Sequence, residues 1–84
     1  MSDTVKSAII WSNVNCTFCE QAKSLLKANG IDYEERNLAS GVWSREQLLE
    51  VVPTARTVPQ IFINDNYIGG FTELRNYLQE AVWL

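Results

Sequence analysis

The two cysteines of the chain, Cys16 and Cys19, are separated only by Thr17 and Phe18. This spacing lets a single turn bring the two sulfurs together. A thiolate is the nucleophile in thiol–disulfide exchange, and a free cysteine with a pKa of about 8.5 is mostly protonated at neutral pH. A disulfide across so short a loop removes little chain entropy and would be a poor structural clamp. The pair therefore indicates redox chemistry, provided that the surrounding elements expose and activate one sulfur.

Two other interpretations of the cysteine pair are weaker. A structural zinc ion usually takes four cysteine or histidine ligands, and the chain has two cysteines and no histidine. An intrachain zinc site is therefore not expected, and neither is any other metal. Cys19 by itself could be an incidental core cysteine, but a close pair at the junction of a strand and a helix favours redox chemistry.

Length, composition and charge limit the class of protein. The chain has 84 residues, which fit one domain, so we expect a single domain over 1–84. The net charge is −3 without a cluster of basic residues, which argues against a nucleic-acid ligand. No apolar run reaches membrane-spanning length, and the first residues lack the apolar core of a signal peptide. We therefore expect a cytoplasmic protein, with no membrane partner, whose thiols are mostly reduced.

A strand and a helix are predicted on the two sides of the cysteine pair. Residues 5–11 form a β-type run that ends in three apolar residues, as expected of a buried strand, and the polar segment 12–15 ends it. The helix that follows is indicated by the helical spacing of Cys19, Ala22, Leu25, Leu26 and Asn29. Gly30 stands where a left-handed residue ends a helix. Thr17 and Glu20 have the spacing of a capping box, which predicts that the helix begins at the cysteine pair.

A helix start at this point distinguishes the two cysteines. The first N–H groups of a helix have no partner within it and carry a partial positive charge, so they favour an anion. We expect Cys16 in the exposed first turn and Cys19 one turn further in. The prediction is that Cys16 attacks a disulfide and that Cys19 then resolves the mixed disulfide, unless a second thiol does so.

The next elements indicate a parallel unit followed by a second helix. Residues 31–38 form a strand of mixed polarity, expected nearer an edge, and the strand–helix–strand order without a hairpin signal predicts a parallel βαβ unit. Ser44 and Gln47 have capping-box spacing and open a second helix, which ends near Pro53. Its predicted buried face consists of Leu48, Leu49 and Val52.

The last third of the chain completes an α/β pattern. Residues 57–63 are apolar enough for a central strand, 64–66 form a tight turn, and 67–68 resume as a short partner strand that 69–70 break. The last helix carries on one face Leu74, Leu78, Ala81 and Val82. This order predicts a four-stranded sheet covered by helices. A Cys-x-x-Cys after the first strand of a βαβ pattern is typical of thioredoxin-like redox proteins.

Three motifs together resemble those of a known family. They are CTFC at 16–19, TVP at 57–59 and GGFT at 69–72, in order and with suitable spacing between about residues 5 and 82. The chain thereby resembles the glutaredoxins, most of all the short dithiol members of bacteria and phages. The resemblance implies a thioredoxin fold, with a four-stranded mixed sheet flanked by three helices. It also implies glutathione-dependent reduction of protein disulfides or of glutathione mixed disulfides, with glutathione as the co-substrate.

The resemblance also implies a set of ligand-binding positions. Val58–Pro59 matches the family's cis-proline, which would leave the backbone of Val58 free to pair with glutathione, although a trans proline at the start of a strand is the alternative. The GGFT motif matches the segment that holds the γ-glutamyl end, and a helix N-terminus suits a carboxylate. The substrate-binding residues expected by resemblance are Asn13, Phe18, Arg56, Thr57, Val58, Pro59, Gly70, Phe71 and Thr72.

Several of these positions have alternatives or depart from the family pattern. Phe18 replaces a common tyrosine and either contacts a partner or simply packs, and Thr72 could act only as a helix cap. Asn13 stands where a lysine is frequent, and Glu46 falls near a position often held by a glutamine. Arg56 or Arg45 could supply the missing positive charge, although Arg56 could equally be a solvated surface arginine. Thr17 stands where proline is common in the family.

Alternatives to the leading function stay open at this point. A glutaredoxin-like redoxin recharged by thioredoxin reductase would keep the chemistry and change the electron source. An iron–sulfur carrier would bridge a [2Fe–2S] cluster between two chains through the first cysteine and glutathione, and a redox-inert binding module would lack the activity. Glutathione and protein disulfides are the expected partners, with ribonucleotide reductase as a candidate by resemblance, and the protein is expected to be a monomer.

Overall fold

The computed structural model describes residues 7–82, with side chains as far as residue 79. Its elements are, in chain order, β1 (Ser7–Ser12), α1 (Thr17–Ala28), β2 (Asp32–Asn37), α2 (Arg45–Val51), β3 (Gln60–Ile63), β4 (Asn66–Gly69) and α3 (Phe71–Val82). The four strands form one sheet in the order β2-β1-β3-β4. Strand β1 runs parallel to β2 and antiparallel to β3, and β3 runs antiparallel to β4. This confirms the predicted four-stranded mixed sheet with three helices.

The position of each strand agrees with its polarity. Strand β2 lies at an edge and has only exposed and partly buried residues, whereas β1 and β3 are central and largely buried. Strand β1 continues one residue beyond its predicted end, because Ser12 is fully buried and pairs in register with Asn37 of β2. The beginning of this prediction, Val5 and Lys6, lies outside the described residues.

The core has a part on each face of the sheet because successive strand residues point to opposite faces. Ile10 and Ile61 pack with Leu26 of α1 and Leu74 of α3 in the larger cluster. On the other face, Trp11 packs with two buried residues of the α2 region, Leu48 and Val52. The two long helices therefore cover one face, and the short helix α2 covers part of the other.

The helix ends correct one capping prediction and confirm another. Helix α1 is capped by Cys16, so the predicted Thr17–Glu20 capping box is wrong: Thr17 is already helical. Gly30, with φ of 71°, has the left-handed conformation expected after the helix end. The box of Ser44 and Gln47 at the start of α2 is present in full, with both reciprocal hydrogen bonds.

The last elements begin and end slightly differently from the prediction. Strand β3 starts at Gln60 rather than at Thr57, because residues 57–59 form a bend that contains the cis bond between Val58 and Pro59. The cis form, and not the trans alternative, is therefore the one observed. Leu74 and Leu78 are buried along α3 as predicted. The side chains of the other two members of that stripe, Ala81 and Val82, lie outside the described residues.

Among residues 7–82, no helix has the length and apolar character that a membrane crossing needs.

Candidate active site

The two cysteines form a disulfide at the N-terminus of α1, where their environments differ. Cys16 is the N-cap residue, half-buried and in an extended conformation, and its Sγ accepts a hydrogen bond from the Cys19 N–H at 3.1 Å. Cys19 is 0% exposed. A disulfide substrate can therefore reach Cys16 from solvent, and Cys19 can act only from inside. This is the arrangement expected of an attacking and a resolving sulfur.

The loop before β3 lies directly against the Cys16 sulfur. The Cys16 Sγ is 3.7 Å from the carbonyl oxygen of Val58, which is 42 residues away in the chain. In the disulfide the sulfur carries no proton, so this approach is a van der Waals contact. Val58 thus presents its backbone beside the reacting atom, next to the cis-proline.

A buried amide holds this loop in place. Gln60 is 7% exposed and donates from Nε2 to the carbonyl oxygen of Thr57 at 2.9 Å. The hydroxyl of Tyr67 on β4 in turn donates to the Gln60 Oε1. The sequence interpretation missed this role of Gln60, although a polar residue at the start of an apolar strand is a usable signal, because buried polar groups need partners.

A groove runs from the cysteine pair across the cis-proline loop to the start of α3. We call it the cysteine groove; its lining residues are Phe18, Thr57, Val58, Pro59, Gly70, Phe71, Thr72 and Glu73. Its volume is about 330 Å³. The rings of Phe18 and Phe71 pack with their centroids 5.8 Å apart, and Phe18 is still 59% exposed. The structure therefore brings together seven of the nine predicted substrate-binding residues, and Phe18 both packs and stays accessible.

The start of α3 uses a carboxylate that the sequence interpretation missed. The Glu73 Oε1 accepts a hydrogen bond from the Gly70 N–H at 2.9 Å, whereas Thr72 is already within the helix. Gly69 is required beside this carboxylate, because it has φ of 124° and a Cβ there would lie 2.9 Å from the Glu73 side chain. The acidic residue three positions after Gly70 is the sequence signal for this cap.

The remaining two predicted residues, Asn13 and Arg56, lie in an adjoining cavity. They line it together with Arg45, and the cavity shares Thr57 and Val58 with the cysteine groove. The Asn13 Oδ1 accepts a hydrogen bond from the Val14 N–H at 2.7 Å, which shapes the turn before Cys16. We call this space the arginine cavity. Glu46 is exposed on α2 and lines neither space.

A charged network anchors α1 to the sheet close to the cysteines. The buried Ser12 hydroxyl donates to Glu35 Oε2 at 2.6 Å, and Lys23 bridges Glu35 at 3.0 Å and Glu20 at 2.9 Å. The hydrogen bond from Ser12 lowers the pKa of Glu35 below its ordinary value, and Lys23 adds to this effect against the opposing effect of burial. Burial alone would lower the pKa of Lys23, but its bonds to the two carboxylates raise it overall.

Within the described part of the chain, no group of three or more His, Cys, Asp or Glu residues could hold a metal ion.

Comparison with known proteins identifies the family. The glutaredoxin family model matches residues 8–68, well over half of the chain. Glutaredoxin 3 of Escherichia coli is 34% identical over 65 residues, which is 77% of each chain. The chain belongs to the glutaredoxin family, and with its Cys16–Cys19 pair it is a thiol–disulfide oxidoreductase.

Solved structures agree with this assignment and with the thioredoxin fold. The crystal structure of glutaredoxin 1 from Francisella tularensis, complexed with cacodylate, superposes with a TM-score of 0.77 at 28% identity, over 95% of this chain and all of that one. A buckwheat glutaredoxin–glutathione complex has a TM-score of 0.74 at 25% identity, over 90% of this chain and 71% of that one.

Proposed function

We propose that the protein is a glutathione-dependent, cytoplasmic, monomeric reductase of protein disulfides or of glutathione mixed disulfides. One observation carries this proposal: the sulfur of the half-buried Cys16 contacts Val58, which lines a groove that offers both a backbone edge and a helix N-terminus to a peptide ligand. Glutathione is such a ligand, with a peptide backbone and two carboxylates. The buckwheat relative, whose structure is a glutathione complex, supports this choice.

Two regions of the cysteine groove and the adjoining arginine cavity would bind three parts of glutathione. The Val58 backbone beside Cys16 suits strand-like pairing with the central residue. The first N–H groups of α3, at Phe71 and Thr72, suit the γ-glutamyl carboxylate, and Gly70 lines the groove beside them. Arg56 and Arg45, which line the arginine cavity together with Asn13, supply positive charge for the glycine carboxylate of glutathione.

The reaction proceeds as two exchanges between sulfurs. The thiolate of Cys16, stabilised by the Cys19 N–H, attacks a substrate disulfide; the S–S bond breaks and one substrate sulfur leaves as a thiolate. The mixed disulfide on Cys16 is then attacked by Cys19, which forms the Cys16–Cys19 disulfide and frees the second substrate thiol. Two glutathione molecules restore the dithiol and supply the two electrons. The first attacks the Cys16 sulfur and frees the Cys19 thiol; the second attacks the glutathione sulfur bound to Cys16, frees the Cys16 thiolate and leaves as glutathione disulfide.

An assay coupled to two electron donors tests the glutathione dependence. We expect turnover of a small glutathione mixed disulfide with glutathione, glutathione reductase and NADPH, and none when thioredoxin reductase replaces the glutathione system. Turnover only with thioredoxin reductase would overturn the proposal and favour the redoxin alternative. We also expect the protein to be a colourless monomer after anaerobic purification. Visible absorption from a dimer would instead favour the [2Fe–2S] carrier.

The natural substrate stays a prediction from the family. Ribonucleotide reductase is the candidate protein disulfide, and reduction of that enzyme by the glutathione-recharged protein is the direct measurement.

A further inference from the structure

A second groove adjoins the cysteine groove at Phe71. It runs along α1, and we call it the helix groove; its lining residues are Thr17, Glu20, Gln21, Ser24, Leu25, Ala28 and Phe71. Its volume is about 550 Å³ and its surface is mostly apolar. Nothing in the reaction derived above uses it.

The helix groove is continuous with the reacting site. Phe71 lines both grooves, and Thr17, at one end of the helix groove, directly follows Cys16. The positions from Thr17 to Ala28 recur at helical spacing and form one stripe. At about 1.5 Å per residue this stripe is roughly 16 Å long, which matches about five residues of an extended peptide.

The proposed function leaves this side of Cys16 free. When the cysteine groove holds glutathione, a protein joined to it by a disulfide has to leave the sulfur in another direction. The helix groove is an apolar surface that begins at Thr17, the residue next to Cys16, and it shares Phe71 with the cysteine groove. It therefore offers a surface to the polypeptide that flanks the substrate cysteine.

The lining residues define the chemistry of the occupant. Glu20 is the one charged side chain among them, and it is ion-paired with Lys23 at 2.9 Å. The groove therefore offers no cation to an acidic segment, whereas Leu25, Ala28 and Phe71 offer apolar contacts. An uncharged, apolar segment fits best, because burying an unpaired charge there is unfavourable.

We infer that the helix groove binds the apolar segment of a glutathionylated protein that adjoins its modified cysteine, while the cysteine groove holds the glutathione. This inference rests on the proposed function. The Cys16 thiolate attacks the glutathione sulfur, the bond to the protein sulfur breaks, and the protein thiolate leaves and is protonated by water. The glutathione stays on Cys16 until a second glutathione removes it as the disulfide. The protein product is then held only by the helix groove.

Three probes that share the same glutathione group test the inference. They are S-glutathionyl cysteine, a glutathionylated peptide with five apolar residues beside its cysteine, and the same peptide with five acidic residues. We expect kcat/KM to be highest for the apolar peptide. No turnover of S-glutathionyl cysteine would refute the proposed function, whereas equal kcat/KM for all three probes would overturn the inference alone.

Charge substitutions at Gln21 give the matched test. Gln21→Glu and Gln21→Lys both place a charge in the helix groove, so both should lower kcat/KM for the apolar peptide by at least about threefold relative to S-glutathionyl cysteine. An effect on the Cys16 thiolate would instead have opposite signs for the two variants and would change both substrates alike. Gln79→Glu is the control, because Gln79 is exposed on α3 and does not line the helix groove. An unchanged ratio in the Gln21 variants, or an equal change in Gln79→Glu, would overturn the inference.

Discussion

Helices α1 and α3 both begin at the cysteine groove, but different groups accept hydrogen bonds from their first N–H groups. At α1 the acceptor is the sulfur of Cys16, which is also the proposed attacking group. At α3 the acceptor is the Glu73 carboxylate, which is bound to the Gly70 N–H. Both helix starts favour an acceptor with negative charge, and in the proposed reaction the start of α1 would stabilise a thiolate.

The comparison also shows that a local helix cap is not sufficient by itself to build the site. Cys16 and Cys19 are three residues apart, so the α1 cap forms from neighbouring residues. Its usefulness, however, depends on the Val58 loop and on Phe71, which the sheet brings from far along the chain.

The largest expected effect comes from a variant that keeps the α1 cap and removes the reactive sulfur. Serine is a good N-cap residue, but its hydroxyl is not ionised at neutral pH. Cys16→Ser should therefore keep the fold and lose at least about a thousandfold in reductase activity, because the nucleophile itself is removed. The glutathione-coupled assay and the thermal unfolding midpoint measure the two effects separately. Retained activity would show that Cys16 is not the attacking sulfur.

The next largest effect separates the two sulfurs. Cys19→Ser should trap one glutathione on Cys16, visible in the intact mass, because the buried partner can no longer displace it. Reduction of a protein disulfide should fall by about a hundredfold or more, while glutathione mixed disulfides are still reduced through a second glutathione. Cys19→Ala is the control for placing a hydroxyl at a fully buried position. A substrate-free Cys16 in both variants would contradict the assignment.

The α3 cap should have a smaller effect, measured here as a change in stability. Glu73→Ala removes the acceptor for the Gly70 N–H, so the free energy of unfolding should fall by about 0.5–1 kcal/mol. Glu73→Gln retains an oxygen acceptor and should cost less than half as much. Urea unfolding of the three proteins measures this. Equal stability of all three would mean that the Glu73 contact does not stabilise the helix.

The smallest effect concerns the charged network that anchors α1. The pKa of Glu35 is lowered in the folded protein, so its contribution to stability is present above its ordinary value of 4.5 and is lost as the pH falls through the folded pKa. The pKa of Lys23 is raised, so its contribution is present below 10.5 and is lost as the pH rises through the folded pKa.

Urea unfolding at pH 7 and pH 3 checks the acid side of this prediction. The stability difference between the wild-type protein and Glu35→Gln should shrink toward pH 3. Glu50→Gln, at an exposed position of α2 outside the network, measures the ordinary effect of removing one carboxyl. A difference that is the same at both pH values would contradict the role of Ser12 and Lys23.

The local parts of the fold were predictable, and the errors have local causes too. The Ser44–Gln47 capping box and the left-handed Gly30 depend on residues within one turn, and both are present. The capping box at Thr17 failed because the sulfur of Cys16 took the acceptor role one residue earlier. The start of β3 was placed too early because the apolar pattern from Thr57 does not reveal the bend at the cis-proline.

The contributions of Gln60 and Glu73 illustrate what pattern alone did not reveal. Each side chain matters through one hydrogen bond to a backbone group of the groove, at Thr57 and at Gly70. The Glu73 contact spans three residues and has a local sequence signal, but the packing of α3 against the sheet decides that it lies at the groove. For Gln60, the residue type is compatible with an exposed position as well, and the packing of β3 and β4 decides that it is buried beside the site.

The amino-acid sequence by itself determined the two cysteines, their spacing, and a helix start that favours a thiolate, because these features involve residues within one turn. The order of strands and helices also followed from local polarity patterns. Only the tertiary structure decided what surrounds the sulfur: the Val58 carbonyl at 3.7 Å and the contact of Phe18 with Phe71, which lines two grooves. Those contacts join segments tens of residues apart. They exist because antiparallel pairing of β1 with β3 and of β3 with β4 brings the starts of α1, β3 and α3 to one end of the sheet.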